Sequence, residues 1–460
     1  MSNFIPTMLV IPYPAQGHVN PMMNFSQKLA EKGCNIIFVN TEFSHKRVVS
    51  SMAKQESISE TSSSIKLVSI PDGLEPENDR SNFGDLSVSM INTVPPLLEK
   101  LVEDIHLKGD HKITCILVDC FMAWLLEVAS ELKIKGALFC PASAATFALT
   151  YKIPKLIDDK IIDCDGFPIT KRTFSISPSM PAIDTTMVWW VNMLDRIVEK
   201  KLFKFVLRCI AAWDLTEWWV GNTTYELEPG ALSLVPKFKP VGPLLRSYDN
   251  KSVTAASLGQ FWEEDISCMN WLDQQPHGSV LYVAFGSITL FEQAQFAELA
   301  LGLELTKRPF LLVVRQDPNF SDKLTFPAEF RGSRGKIVGW APQQKVLGHP
   351  AIACFVSHCG WNSTMEGLSN GVPFLCWPYF GDQIYNKKYI CDELKVGLGF
   401  ESEANGVVAR EEIKKKVDQV INDENIRSRS LELKEKLLNN LAEGGRSSDN
   451  FAKFVDWLKD

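Results

Sequence analysis

Two stretches of this chain repeat one order of hydrophobic patterning, and that order admits few folds. Residues 7–14 (TMLVIPYP) form a short apolar run of strand character, and AQGHVNP reads as a loop. MMNFSQKLAEKG then has helical periodicity closed by Gly33 as a C-cap, and NIIFVN is a second strand. After the middle of the chain, SVLYVAFGS, LFEQAQFAELALGLE and RPFLLVVR repeat strand, helix and strand. Strands joined through a helix run parallel, so each stretch opens a doubly wound α/β sheet, and two such domains are expected. Residues 241–262 lack periodicity and carry Pro, Gly, Ser and charges. They read as a linker between a first domain, 1–240, and a second, 263–426, with helices over 427–460.

With 460 residues, a net charge of -7 and 45% hydrophobic residues, the chain fits a globular protein of two or three domains. The basic run Lys414 to Lys416 lies beside acids in a helical stretch and reads as a solvated face, which disfavours nucleic acid as a partner. Eleven cysteines, among them Cys34, Cys115, Cys120, Cys140, Cys354 and Cys376, are scattered through apolar runs. That pattern fits reduced core residues and not a disulfide framework. The start, MSNFIPTMLVIPYP, has no basic leader and too short an apolar run for a membrane span, so a cytoplasmic protein is expected.

The richest candidate site follows the apolar run 352–356, where SHCGWNSTMEGLSNG reads as a turn opening a helix. Unpaired N–H groups and the helix dipole favour an anion there. His358, Asn362 and Ser363 add donors, Gly360 lets the backbone approach closely, and Glu366 stands one turn on, where it can accept from ribose hydroxyls. Taken alone, the segment reads equally well as a Ser/Asn-capped helix after a core strand. Its flanks add a flat ring at Trp340 for a nucleobase, hydrogen-bonding groups at Ala341 and Gln343, and acceptors and a donor at Asp382 and Gln383. Ser287 in the FGS turn supplies a further donor to an anion. His18, after the first strand, is a candidate base, although a lone loop histidine is commonly a surface or capping residue. Asp119 closes the buried run ITCILVD and either orients that base or caps the helix that follows.

The run from Trp340 to Gln383, WAPQQKVLGHPAIACFVSHCGWNSTMEGLSNGVPFLCWPYFGDQ, resembles the signature of the plant secondary-product glycosyltransferases, which transfer sugars from UDP to small molecules. The resemblance extends from PYPAQGHVNP to FAKFVDWL. It implies a GT-B fold: two Rossmann-like domains facing a cleft, acceptor on the N-terminal one, donor on the C-terminal one, and the last helices packing back on the first. Trp340 then corresponds to the uracil-stacking residue, Ala341 and Gln343 to base and ribose contacts, and Glu366 to the ribose carboxylate. His358, Asn362 and Ser363 correspond to diphosphate ligands, Trp361 to the sugar side, and Asp382 with Gln383 to the hexose-binding pair. Glutamine at the end of this box goes with glucose donors and histidine with galactose. His18 corresponds to the catalytic base and Asp119 to its partner, with Gly17 leaving room for an acceptor.

The resemblance thus implies a metal-independent, cofactor-free, monomeric hexosyltransferase using UDP-glucose and inverting to a β-O-glucoside. Gly17, Phe121, Ser143, Phe147, Trp190, Tyr379 and Phe380 are assigned to the acceptor side, which the bulky apolar residues Met122, Trp124 and Trp189 also enrich. FVNTEFSHKRV and the turn at Asp72 resemble members acting on flavonoids and phenylpropanoids. Triterpenoid or steroid acceptors, C- or N-glucosylation, and a non-catalytic UDP-sugar-binding protein are the alternatives. A nicotinamide-dependent oxidoreductase is disfavoured because PYPAQGH has no GxGxxG turn. Asp163 and Asp165 mimic an acid-x-acid metal motif but lie in the first half, outside the donor run. His349, Cys354, His358 and Cys359 match no paired zinc-ligand spacing.

Overall fold

In the computed structural model, β1 (Thr7–Ile11) is buried along its whole length and its neighbours at all but one residue each, which is why they read as unbroken apolar runs and not as alternating ones. The structure describes residues 5–52, 64–109, 112–191, 195–245, 258–289, 291–315 and 324–460. Contacts divide the chain into one unit of 1–263 with 440–460 and another of 264–439.

The first unit holds β1, β2 (Asn35–Thr41), β3 (Ile65–Ile70), β4 (Ile113–Asp119), β5 (Lys135–Cys140), a two-residue hairpin β6 (Thr173–Phe174) and β7 (Ile183–Asp184), β8 (Trp218–Gly221) and β9 (Phe238–Pro240). Its main sheet is parallel, in the order β3-β2-β1-β4-β5-β8-β9. Helix Gln16–Glu31 buries Val19, Met22, Phe25 and Leu29 against it. The last helix, Arg446–Lys459, adds Phe454, Val455 and Leu458 to the same core, with Phe25 and Phe454 ring centroids 5.7 Å apart. The preceding helix, Glu424–Asn439, packs instead on Trp361–Asn370 in the second unit, so the helices expected together over 427–460 divide between the units at Asn440. Of the expected linker, 246–257 lies outside the described residues. Its end packs on the first unit, where Phe261 N donates to Gln16 Oε1 at 2.7 Å and Ser51 Oγ to Gln260 O at 2.8 Å.

A buried carboxylate fastens the far side of this sheet. Glu228 accepts from Ala144 N and Ala145 N, both at 2.8 Å, and from Thr223 Oγ1 at 2.6 Å, tying helix Ala144–Tyr151 to the segment after β8. Burial pushes its pKa up to about 7, against the lowering effect of those donors. With the folded value raised, its stabilising contribution is full below the ordinary carboxylate pKa and fades as pH rises through about 7. Glu228→Ala leaves three buried donors unmatched and is expected to cost about 2–4 kcal/mol in denaturant unfolding at acidic pH. The gap to wild type should narrow above neutrality; a gap constant with pH would contradict this account.

The second unit holds β10 (Val280–Ala284), β11 (Phe310–Val313), β12 (Gly335–Val338), β13 (Ile352–Ser357), β14 (Phe374–Cys376) and β15 (Gly397–Gly399), parallel in the order β12-β11-β10-β13-β14-β15. Both orders reverse direction beside the unit's first strand, the Rossmann pattern, and ligands bind doubly wound sheets at such reversal points. Pairing Ile11 with Val118 and Ala284 with Ser357 brings the carboxyl ends of β1 and β4, and of β10 and β13, side by side. Among the described residues no helix is long and apolar enough to cross a membrane.

Candidate functional site

At the reversal point of the first sheet stand His18 and Asp119. The loop expected at AQGHVNP is already helical from Gln16, which puts His18 in the first turn. Pro21 suggests a boundary, but so near the helix start it removes a single backbone donor, and the helix tolerates it. His18 Nδ1 lies 2.8 Å from Asp119 Oδ2, with Asp119 fully buried and the His18 side chain 22% exposed. The other carboxylate oxygen accepts from Phe121 N at 2.8 Å, capping the short 3₁₀ helix Cys120–Leu125. Asp119 therefore pairs with His18 through one oxygen and caps the following turn through the other. Because a carboxylate only accepts, Nδ1 carries the proton and Nε2 is left as the basic nitrogen.

Aromatic rings surround this pair. Tyr13 and Phe121 centroids lie 5.3 and 5.5 Å from His18, and Trp189 stacks on Phe121 at 5.6 Å. Phe83 and Phe205 flank Tyr13 at 6.3 and 6.2 Å. The Tyr13 hydroxyl pairs with Ser87 Oγ at 3.1 Å, and burial pushes its pKa up, so it stays neutral. A Cβ built on Gly17 meets nothing within 4 Å.

Three residues assigned to the acceptor side lie in the core instead. Phe147 stacks on Trp213 with centroids 4.1 Å apart, and the fully buried Ser143 caps the helix after it by accepting from Thr146 N. Trp190 is buried against Phe203 and donates through Nε1 to Gly166 O at 2.9 Å. The bulk of these side chains is legible in sequence, but the face that covers them is not. Tyr13 had a usable signal, two residues past the end of β1; Phe205, on helix Arg196–Trp213, had none nearby in sequence.

In the second unit, turns 285–289 and 358–360 lie side by side. Cys359 has φ +64°, Gly360 is the N-cap, and the helix runs Trp361–Asn370, putting Trp361, Asn362 and Ser363 in its first turn. The His358 ring lies between two glycines: a Cβ on Gly286 or Gly360 would come 2.5 or 2.4 Å from its Nε2. Burial, with the Arg315 charge acting in the same direction, lowers the His358 pKa to about 4 and keeps the ring neutral. Its Nδ1 is buried without a hydrogen-bond partner, a group that a polar ligand at this helix start would satisfy. Arg315, which sequence reading missed, donates to Gly286 O at 3.0 Å and Thr289 O at 3.3 Å and so braces the turn carrying Ser287.

Gln343, expected as a base and ribose contact, is itself held by neighbouring side chains. Its Nε2 donates to Ser363 Oγ at 2.8 Å and Glu366 Oε2 at 2.7 Å, while Oε1 accepts from the Tyr282 hydroxyl at 3.1 Å. It thereby orients two other residues of the row, and Tyr282, in the middle of β10, is a partner with no local sequence signal. Trp340 follows β12, with its carbonyl accepting from Asp265 N at 2.9 Å, and Ala341 is buried beside it. Asp382 is the N-cap residue of helix Gln383–Lys388. Gln383 Oε1 accepts from Tyr379 N at 2.8 Å and Phe380 N at 3.2 Å, which fixes the amide with its NH₂ group on the opposite side. Tyr379 itself is half exposed.

Asp163 accepts from Asp165 N and Phe167 N within a turn, and Asp165 pairs with Lys200 at 2.6 Å. His349 pairs with Asp273 at 3.1 Å. Among the described residues no group of three or more His, Cys, Asp or Glu is placed to hold a metal.

A family model described as UDP-glucoronosyl and UDP-glucosyl transferase matches residues 257–436, and one described as glycosyltransferase, N-terminal domain, matches 7–153. UDP-glycosyltransferase 83A1 of Arabidopsis thaliana is 43% identical over 458 residues, spanning 99% of this chain and 97% of the relative. UDP-glycosyltransferase 85A8 of Stevia rebaudiana is 32% identical, spanning 98% and 97%. Among solved structures, Os79 from O. sativa in complex with UDP superposes with a TM-score of 0.80 at 25% identity, covering 98% of this chain and all of that one. Phytolacca americana UGT2 complexed with UDP-2-fluoro-glucose and pterostilbene gives 0.81 at 25% identity, covering 99% and 100%. The chain belongs to the plant UDP-glycosyltransferases, enzymes of the GT-B fold.

Proposed function

We propose that this enzyme transfers glucose from UDP-glucose to a hydroxyl of a lipophilic phenolic molecule, with inversion, giving a β-O-glucoside. The observation that carries the reading is the His18–Asp119 pair at 2.8 Å on the reversal point of the first sheet. His18 Nε2 takes the acceptor proton, and the buried Asp119 carboxylate stabilises the imidazolium that forms. With a base and no nucleophile of the enzyme's own, the acceptor oxygen displaces UDP directly, and the α-linked donor gives a β-product.

On the donor side Trp340 stacks on uracil beside Ala341, and Glu366, held by Gln343, accepts from the ribose. His358, Asn362, Ser363 and Ser287 meet the diphosphate, where the helix start and the Arg315 charge favour the growing negative charge without a metal or cofactor. Trp361, Asp382 and Gln383 hold the hexose. The rings of Tyr13, Phe121 and Trp189 by His18 suit a flat aromatic acceptor, with Gly17 leaving space. The protein acts as a cytoplasmic monomer.

The test is UDP release from UDP-glucose and from UDP-galactose against a panel of phenolics, triterpenoids and steroids, with product mass and anomeric coupling read together. Addition of one hexose from UDP-glucose to a phenol, β-linked, is the expected result. An α-linked product removes the displacement mechanism, and glucosylation of triterpenoids alone removes the phenolic acceptor. Trp340→Ala should raise KM for UDP-glucose about 5–150-fold, the equivalent of losing roughly 1–3 kcal/mol of base stacking. An unchanged KM would place the uracil elsewhere.

A further inference from the structure

We infer that Asn386 is a positioning residue that sets the sugar-binding part of the donor site against its diphosphate-binding part. The inference rests on the proposed donor site, in which Asp382 meets the hexose and the turn at Cys359 and Gly360 meets the diphosphate. Asn386 lies on helix Gln383–Lys388, is fully buried, and touches neither sugar nor phosphate in that reading. Its Nδ2 donates to Cys359 O at 3.0 Å and to Asp382 Oδ2 at 2.9 Å. Both partners are acceptors, so the orientation of the amide follows from the chemistry. Its Oδ1 is buried without a hydrogen-bond partner.

Each of those two bonds fixes something the reaction needs. Cys359 is a non-glycine residue in the left-handed region, a conformation that persists only when its surroundings impose it. Ser357 Oγ accepts from its N–H at 3.1 Å and Asn386 takes its carbonyl, so the residue is held at both ends. In a trans peptide the carbonyl and the following N–H point in opposite directions, and holding the Cys359 carbonyl towards Asn386 aims the Gly360 N–H away from it. The second bond holds a carboxylate oxygen of Asp382. One NH₂ group thus links the anion turn to the sugar-holding acid, and neither can shift without the other.

Displacement at the anomeric carbon needs the leaving oxygen and the attacking oxygen in line, and a misplacement of about 1 Å can cost on the order of 10²-fold in rate. Binding of UDP alone makes no such demand on the sugar-holding acid. A buried oxygen without a partner is also unfavourable to folding, so Asn386 is not the residue that stability alone would select at this position.

The test compares wild type with Asn386→Leu, similar in volume and apolar, and Asn386→Asp, similar in shape but without donors and bearing a charge towards Asp382. Affinity for UDP, kcat and KM for the UDP-sugar that wild type uses best, and Tm are measured for all three. The expected result is a kcat/KM lowered about 10–100-fold, mostly in kcat, more severely for Asn386→Asp, and a loss of UDP affinity well below the loss of turnover. Loss of UDP affinity in parallel with turnover would reduce Asn386 to a scaffold residue, and unchanged kinetics in both variants would overturn the inference outright. Should wild type prefer a sugar other than glucose, the donor assignment falls while the variants still decide the part played by Asn386.

Discussion

Replacing His18 with alanine is expected to lower turnover by about 10²–10⁴-fold while leaving UDP binding intact. The basis is division of labour: His18 belongs to the first unit, and every residue assigned to UDP belongs to the second. Asp119 is fully buried and its second oxygen is already engaged by Phe121 N, so it cannot move out to take the proton in place of His18. Loss of the imidazole leaves the acceptor hydroxyl to react without a base, against an otherwise unchanged donor. The measurement is single-turnover glucose transfer alongside a UDP titration. Retention of more than about a tenth of the activity would show that His18 is not the base, and joint loss of UDP binding and activity would show a structural role.

Gly286→Ala should weaken UDP and UDP-glucose binding about 10–100-fold. Two effects act. Gly286 has φ +69°, where an L side chain costs roughly 1–2 kcal/mol. Its Cβ would also come 2.5 Å from His358 Nε2, forcing that ring, flanked on its other side by Gly360, out of the diphosphate turn. The strain lowers stability with or without nucleotide, and loss of the displaced His358 contact, at about 1.4 kcal/mol per factor of ten, gives the stated range. Gly406→Ala is the control, since Gly406 has φ +83° and its Cβ would meet nothing within 4 Å. It should lose stability comparably and keep its affinity for UDP. Equal affinity in the two variants would mean that the His358 ring contributes nothing to nucleotide binding.

The candidate site residues lie where strands end, and strand ends are local features. His18 and Asp119 follow apolar runs that burial on both faces makes continuous. The anion turn at 358–360 announces itself through Gly360 and the polar residues opening the next helix. The start of helix Gln16–Glu31 is less legible, because Pro21 signals a boundary in sequence and costs only one bond in the fold. Trp189, Trp190 and Phe147 look alike as bulky apolar residues. All three are buried, and distant partners set where each packs: Phe121, beside His18, for Trp189, Phe203 for Trp190 and Trp213 for Phe147.

From sequence alone, the two parallel-sheet units and the turn that opens helix Trp361–Asn370 were determined, because periodicity, turn chemistry and helix starts act over a few residues. Tertiary structure alone decided that Asp119 serves His18 and Phe121 N together, and that Gln343 orients Glu366 beneath Tyr282. It alone joined the Cys359 carbonyl to Asp382 through Asn386. Each of these contacts spans strands or helices distant in sequence, and the order in which strands pair, which no local pattern encodes, determines which side chains meet at the end of a sheet.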